Sequence, residues 1–167
     1  MNSGNNLHSK KPTVEIQRAP TIAIIDDDIE LERAIARVLR ANYKCVVNGY
    51  SSVEEFLKTI DALPGKESPS DKVDLILLDF HLPGKNGPAL VSELEKRNSD
   101  ILTKGKIMGI TADNEPLVYA GFKDAGIEEI LIKPLRGLDF SNIAQKAYKI
   151  CRDLDSVPPK SILSRTI

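Results

Sequence analysis

Residues 73–79 read Val-Asp-Leu-Ile-Leu-Leu-Asp, and this stretch has the strongest strand pattern of the chain. A strand that faces water on one side alternates apolar and polar side chains, whereas this run is nearly all apolar. It therefore predicts a strand buried on both faces, as in a parallel sheet that is covered by helices on either side. Its last residue, Asp79, places a carboxylate where that buried strand ends.

Shorter apolar runs on both sides of residues 73–79 alternate with patterns of helical period. Strands are predicted at residues 21–25, 44–48, 106–111 and 128–133, and helices at residues 29–39, 53–60, 88–97, 116–125 and 139–154. Regular alternation of strands and helices implies a parallel sheet with right-handed crossovers and helices on both faces. The predicted fold class is therefore α/β, with a doubly wound, five-stranded parallel sheet and five helices.

These elements fit one domain, predicted to span residues 20–153. Residues 1–19 lack periodicity and are expected to form a flexible leader, and residues 154–167 a flexible tail that is too short for a DNA-binding output domain. Residues 63–72 form a polar loop that is rich in helix and strand breakers, either a peripheral insertion or a partner contact.

Composition narrows the function classes. The chain has 23 basic and 24 acidic residues, which argues against nucleic-acid binding by bulk charge. No apolar run is long enough to cross a membrane, and the polar N-terminus does not resemble a secretory signal, so a cytoplasmic location is expected. Cys45 and Cys151 match no metal motif and are expected to be reduced thiols.

Charged and hydroxyl side chains stand where the predicted strands end. In open α/β sheets, ligands bind beyond the carboxyl ends of the strands. The residues there are Asp26 and Asp27, Asp79, Thr111, and Lys133. Converging carboxylates repel one another unless a positive charge lies between them, and Mg²⁺ prefers carboxylates, water and phosphate oxygens. A phosphoryl group on Asp79 would then be held by metal, lysine and hydroxyl, a usual arrangement for phosphoryl transfer.

Each of these residues also has an ordinary structural explanation. Asp27 or Asp28 could cap the first helix, as Ser51 or Ser52 could cap the second. Asp79 could be a turn former, Thr111 could cap the fourth helix, and Lys133 could be a solvated charge. These explanations, taken singly, do not account for all four strand ends at once.

As an ordered set, the strand ends resemble the receiver domains of two-component response regulators. The matching segments are Ile24–Asp28, Leu77–Gly87, Gly109–Ala112 and Leu131–Leu135, and the resemblance covers roughly residues 20–152. It implies a flavodoxin-like fold of receiver type. It also implies that Asp79 is the phosphoacceptor and that Asp26 and Asp27 hold Mg²⁺.

The resemblance implies roles for further residues. Thr111 and Lys133 match the switch hydroxyl and the phosphoryl-pairing lysine, and Ala112 follows as a phosphoryl contact. His81 matches the position whose backbone carbonyl binds the metal. The His81 and Asp113 side chains match positions that tune loss of the phosphoryl group, and the Lys133–Pro134 bond is expected to be cis. Ile130 stands where the family often has a rotating Tyr or Phe.

The implied function is a non-enzymatic phosphoacceptor, with possible autodephosphorylation. It would take a phosphoryl group from a sensor histidine kinase or a histidine phosphotransfer protein and switch a surface for an unidentified downstream protein. One alternative is a docking receiver that works without phosphorylation, which Ile130 keeps open. Another is a phosphatase with an aspartyl nucleophile, but in haloacid-dehalogenase-like enzymes the nucleophile precedes the acidic pair, and here it follows. No glycine-rich turn follows the first strand, which disfavours a dinucleotide-binding domain.

Overall fold

The computed structural model describes residues 18–63, 73–97, 99 and 106–151. Most of the predicted leader, all of the predicted tail and residues 64–72 of the predicted loop lie outside these ranges. Within the described ranges, no helix combines the length and apolarity that a membrane crossing needs.

One sheet forms the centre of the described chain. Its strands are β1 (Thr21–Ile25), β2 (Val46–Tyr50), β3 (Leu75–Asp79), β4 (Ile107–Thr111) and β5 (Ile130–Ile132). The helices are α1 (Ile29–Tyr43), α2 (Val53–Asp61), α3 (Ala89–Lys96), α4 (Pro116–Asp124) and α5 (Gly137–Cys151). All paired strands are parallel, in the order β2-β1-β3-β4-β5. The predicted α/β class, with a doubly wound five-stranded parallel sheet and five helices, is confirmed.

The sheet separates two apolar clusters, and β3 contributes to both. Leu75 and Leu77 pack into the cluster under α1 and α5, whereas Ile76 and Leu78 pack into the cluster under α2, α3 and α4. All five residues of β3 are buried. The prediction of a central strand buried on both faces is therefore confirmed.

The first turns of α1 and α2 are fixed by side-chain caps. The Asp28 carboxylate accepts a hydrogen bond from the Leu31 N–H at 3.0 Å, so Asp28 rather than Asp27 is the cap of α1. The Ser52 hydroxyl accepts from the Glu55 N–H at 3.1 Å and caps α2. Asp27, which does not cap the helix, is exposed beside Asp26.

The boundary between α1 and β2 differs from the sequence prediction. A strand over residues 44–48 was expected, but α1 continues to Tyr43 and β2 begins at Val46. The reason is Lys44, which ends α1 in the left-handed region at φ 55° and so cannot belong to a strand. Cys45 is buried next to it, and burial raises the pKa of its thiol to about 12; both cysteines are free thiols.

An ion-pair network joins the loop after β3 to α3 and α2. Glu93 on α3 accepts hydrogen bonds from Lys85 at 2.7 Å and from Lys96 at 3.2 Å. Arg97 binds Glu93 and also makes a two-bond contact with the Asp61 carboxylate at the end of α2. The network ties the β3–α3 loop, at Lys85, to the face that α2 and α3 share.

This network makes stability depend on pH. Its cations lower the pKa of Glu93 from 4.5 to about 2, with the hydrogen bond from Lys85 as the largest cause. Because the pKa is lower in the folded protein, the stabilisation is complete above about pH 4.5 and is lost as the pH falls toward about 2. We expect Glu93→Gln to lower the free energy of unfolding at neutral pH, by an amount that shrinks across this window. Urea titrations at several pH values measure it, with Glu95→Gln, an exposed carboxylate on the same helix, as control. If the stability difference between Glu93→Gln and the wild type does not change with pH, the lowered pKa of Glu93 is contradicted.

Candidate functional site

The site lies where the sheet reverses its order. β1 and β3 are neighbours, and their connections lead to opposite sides of the sheet, which creates a crevice at their carboxyl ends. Ile25 pairs with Leu78, so the residues that follow them, Asp26 and Asp79, stand side by side at this edge. Both are buried although both are acidic.

Lys133 compensates these two buried carboxylates. Its ammonium nitrogen lies 2.8 Å from Oδ1 of Asp79 and 2.5 Å from Oδ2 of Asp26, and its side chain is only 13% exposed. The contact with Asp26 is an ion pair. The structure therefore excludes the explanation of Lys133 as a solvated charge. It brings together residues that lie at the ends of β1 and β3 and directly after β5.

The pKa values of Asp79 and Lys133 are shifted by this arrangement. Burial raises the pKa of the Asp79 carboxyl, and the charge of Asp26 adds to the rise, while the bond from Lys133 opposes it. Burial by itself would lower the pKa of Lys133, but its contacts with Asp26 and Asp79 together outweigh burial and raise it. Lys133 is therefore held as a cation, and its proximity favours the ionised form of Asp79.

The third carboxylate, Asp27, completes a donor set for a metal ion. One carboxylate oxygen from each of Asp26, Asp27 and Asp79 lies within 4.8 Å of the others. When all are ionised, three carboxylates and the ammonium of Lys133 leave two negative charges, which one divalent cation balances. Oxygen donors of this kind suit Mg²⁺, and the exposed Asp27 leaves one side of the set open to water or phosphate. The residues thus fit the expected ion.

Thr111 ends β4 beside the carboxylate pair. Asp79 pairs with Ile110, so Thr111 lies one residue further along the neighbouring strand. Its side chain is fully buried, and its hydroxyl oxygen accepts a hydrogen bond from the Asp113 N–H at 3.1 Å. Because Glu115 is the cap residue of α4, Thr111 does not cap that helix as the alternative supposed. Ala112, the next residue, is exposed at the rim.

His81 and Asp113 join the two loops above the site. The His81 Nε2 atom lies 3.0 Å from an Asp113 carboxylate oxygen, which links the β3–α3 loop to the β4–α4 loop. The Glu115 N–H and His81 lower the pKa of Asp113, the backbone hydrogen bond being the larger cause. The His81 side chain is 62% exposed, so the pair stands at the surface and outside the buried carboxylate cluster.

The backbone around Lys133 orients its side chain. The Lys133 N–H donates to the Thr111 carbonyl at 2.8 Å, and the Lys133–Pro134 bond, for which the cis isomer is expected, is cis. Ile130, the first residue of β5, is partly buried against the cluster under α2, α3 and α4.

Two residues next to Asp79 were not assigned a role from the sequence. Gly87 packs so closely on the backbone that a Cβ atom there would lie 2.0 Å from the Asp79 carbonyl oxygen. The Phe80 ring points into the apolar cluster under α4. The glycine after Pro83-Gly84-Lys85-Asn86 is visible in the sequence, but only the folded backbone shows that this position excludes a side chain.

A family model and a curated relative point to the same protein family. The response regulator receiver domain model matches residues 22–145. The two-component response regulator ORR1 of Oryza sativa subsp. japonica is 24% identical over 152 residues, which cover 87% of this chain and 65% of that protein. This chain therefore spans somewhat less than two thirds of that relative's length.

Solved structures agree on the fold. The CheY-like receiver domain protein from Methanospirillum hungatei JF-1 has a TM-score of 0.62 at 21% identity, covering 80% of this chain and 97% of its own. The chemotaxis protein CheY4 of Vibrio cholerae has a TM-score of 0.63 at 18% identity, covering 78% of this chain and 99% of its own. At these identities, the likeness shows the fold.

The close approach of Gly87 yields a test of the site's backbone. We expect Gly87→Ala to lower the free energy of unfolding by about 1–3 kcal/mol, because the new methyl group collides with rigid backbone. Gly49→Ala is the matched control, since the nearest atoms to its Cβ belong to the flexible side chain of Glu32 rather than to backbone. Urea unfolding of both variants measures the difference. Equal stability of the two would show that the loop relaxes around the methyl group.

Proposed function

Because this chain belongs to the response regulator receiver domain family, we propose that it is the phosphoacceptor of a two-component phosphorelay and that Asp79 takes the phosphoryl group. The observation that carries the proposal is the contact of Lys133 with both Asp26 and Asp79. A fixed ammonium beside a carboxylate nucleophile can stabilise the charge of an arriving phosphoryl group. Receiver domains are in general acceptors rather than enzymes, and we propose the same for this chain.

The carboxylates of Asp26, Asp27 and Asp79, with the backbone carbonyl of His81, are the proposed ligands of Mg²⁺. Their oxygen chemistry and their mutual distances support this assignment. When bound, Mg²⁺ supplies charge neutralisation for the oxygens of the transferring phosphoryl group. The protein's own part is to hold the acceptor oxygen of Asp79 in place and to keep Lys133 charged.

The donor is a phosphohistidine on a sensor kinase or on a histidine phosphotransfer protein. The nitrogen–phosphorus bond of the donor breaks as a bond forms from an Asp79 carboxylate oxygen to phosphorus. The electron pair returns to the imidazole nitrogen, which takes up a proton from solvent. The product on Asp79 is an acyl phosphate, whose formation from an aspartate is established chemistry in proteins.

Residues beside Asp79 hold the product. Lys133 pairs with a phosphoryl oxygen, and the Thr111 hydroxyl donates its proton to another. The Thr111 oxygen already accepts from Asp113, so its proton is the part of the group available for donation. Ala112 lies next to Thr111 at the exposed rim, where its backbone N–H is the proposed third contact.

The proposed output surface carries exposed apolar side chains. Leu117 in the first turn of α4 is 78% exposed, and Leu138 in the first turn of α5 is 72% exposed. Movement of Thr111 toward the phosphoryl group would shift the balance between two arrangements of α4, β5 and α5. A downstream protein that binds one arrangement better would then read the state of Asp79.

The His81–Asp113 pair is proposed as a shield over the acyl phosphate. It bridges the two loops that flank Asp79 and so restricts the approach of water from outside. The alternative is that His81 orients the attacking water. These two roles predict opposite effects on the lifetime of the phosphorylated state.

Phosphorylation itself is tested by intact mass. The protein is incubated with Mg²⁺ and acetyl phosphate, and one phosphoryl adduct is expected on the wild type. Asp79→Asn should abolish the adduct, because the amide is not a nucleophile, whereas Asp124→Asn, an exposed aspartate on α4, should keep it. Omission of Mg²⁺ should also prevent it. No adduct with acetyl phosphate or a phosphohistidine donor would favour a docking module, and steady phosphate release from simple phosphomonoesters would favour a phosphatase.

The lifetime of the adduct tests the shield. After removal of the donor, we expect His81→Ala to lose the phosphoryl group several-fold faster than the wild type, because water gains access. Asp113→Asn, which keeps the side-chain size but weakens the ion pair, should change the rate in the same direction. The decay is followed by intact mass. Slower decay in His81→Ala would instead identify His81 as the residue that orients water.

A further inference from the structure

An aromatic ring lies beside the acceptor, although not where the family often has one. Ile130 occupies the position of the rotating aromatic and is partly buried. Phe80, the residue after Asp79, carries its ring into the cluster under α2, α3 and α4. The chain thus has an aromatic side chain attached directly to the end of β3.

The Phe80 ring is in direct contact with α4. It meets the Phe122 ring edge to face, with centroids 5.1 Å apart and planes at 75°. A Cβ atom on Gly121 would lie 2.8 Å from the Phe80 ring, which is closer than real Cβ contacts come. The ring therefore lies against the bare backbone of α4 at Gly121, and no side chain separates them.

A second contact of the same kind fixes α4 to the sheet. Phe122 is fully buried, and its ring fills the space above Gly109 of β4, where a Cβ would lie 2.9 Å from the ring. Helix α4 therefore rests on two aromatic rings. One of them belongs to the helix itself and presses on β4, and the other belongs to the residue next to Asp79.

The backbone at Phe80 is held tightly on the side that faces the site. The Phe80 carbonyl accepts a hydrogen bond from the Gly87 N–H at 2.9 Å. Gly87 in turn touches the Asp79 carbonyl so closely that even a methyl group is excluded. A change in the backbone at Asp79 must therefore displace Phe80, because close-packed contacts do not absorb small shifts.

We propose that the contact of Phe80 with Gly121 and Phe122 transmits the phosphorylation state of Asp79 to α4. The inference rests on the phosphoacceptor function proposed above and names the route by which that site reaches the helix. Leu117 lies one turn before Gly121 on α4 and is exposed, so a displacement at Gly121 moves the proposed partner surface. Phe80 acts here as a positioning residue, without touching the phosphoryl group.

Hydrogen exchange of α4 tests the proposal, with phosphorylation read by intact mass in the same samples. In the wild type, Mg²⁺ and acetyl phosphate should change the exchange rates of α4 amides about fivefold or more, the lower end of ordinary allosteric coupling. Phe80→Leu should still form the adduct, although the Phe80 ring also meets the His81 ring edge to face, but the α4 response of its phosphorylated form should fall below about twofold. Tyr50→Leu is the matched control, because Tyr50 is also partly buried, ends a strand and meets a Phe ring edge to face.

The outcomes separate this inference from the function on which it rests. No adduct on the wild type overturns the phosphoacceptor function and the inference with it. An adduct accompanied by equal α4 responses in the wild type and Phe80→Leu overturns the inference alone. An adduct on the wild type without any α4 response also overturns it. An adduct with a response lost in Phe80→Leu and kept in Tyr50→Leu supports it.

A variant on the helix side covers the case in which Phe80→Leu does not fold. Gly121→Ala places a methyl group against the Phe80 ring, so the α4 amides should exchange faster before phosphorylation, and the response to acetyl phosphate should be smaller. In the double variant Phe80→Leu/Gly121→Ala, the smaller side chain should relieve the clash and restore slow basal exchange. If Gly121→Ala leaves basal exchange and response unchanged, the contact does not carry the signal.

Discussion

The repulsion between two buried carboxylates at the edge of a parallel sheet is the constraint on which the rest of this structure depends. Asp26 and Asp79 stand at the ends of adjacent strands, both shielded from water. Buried charges of one sign are unfavourable unless a cation and hydrogen bonds compensate them. Lys133 provides that compensation from beyond β5, two strands away from β3. The topology that brings β1, β3 and β5 into one sheet is therefore also what makes the site electrostatically tolerable.

Much of this arrangement could be predicted from the sequence because its causes are local. The run ending in Asp79 is apolar on both faces, which identifies a central strand, and parallel strands bring all their carboxyl ends to one edge. The predicted start of β2 at residue 44 was wrong, because the left-handed conformation of Lys44 depends on where α1 ends. The pattern of apolar residues does not show where α1 ends. Tyr43 is the last residue of the helix and is buried with it.

The contacts that sequence reasoning missed join residues far apart in the chain. Gly121 and Gly109 look like ordinary glycines in a helix and a strand, where glycine is usually a cost. Their value is visible only when the rings of Phe80 and Phe122 are found against them. The same holds for the contact of His81 with Asp113, because 32 residues separate the two in sequence. No periodicity or motif spacing encodes such pairs. The ring contacts follow from the packing of α4 onto the sheet, and the His81–Asp113 contact follows from the pairing of β3 with β4.

Ile130 and Phe80 differ in how they could respond to a change at Asp79. A β-branched side chain has few accessible rotamers, so Ile130 is poorly suited to swing between two orientations. A ring fixed to the backbone beside Asp79, the proposed acceptor, would need no such rotation, because it would move with the strand end that carries Asp79. The proposed phosphorylation of Asp79 would replace one carboxylate charge with a bulkier and more negative group, and that change would act on the same strand end. A signal that leaves through β3 and α4 therefore requires rigid packing around Phe80, and the bare backbone of Gly121 provides it.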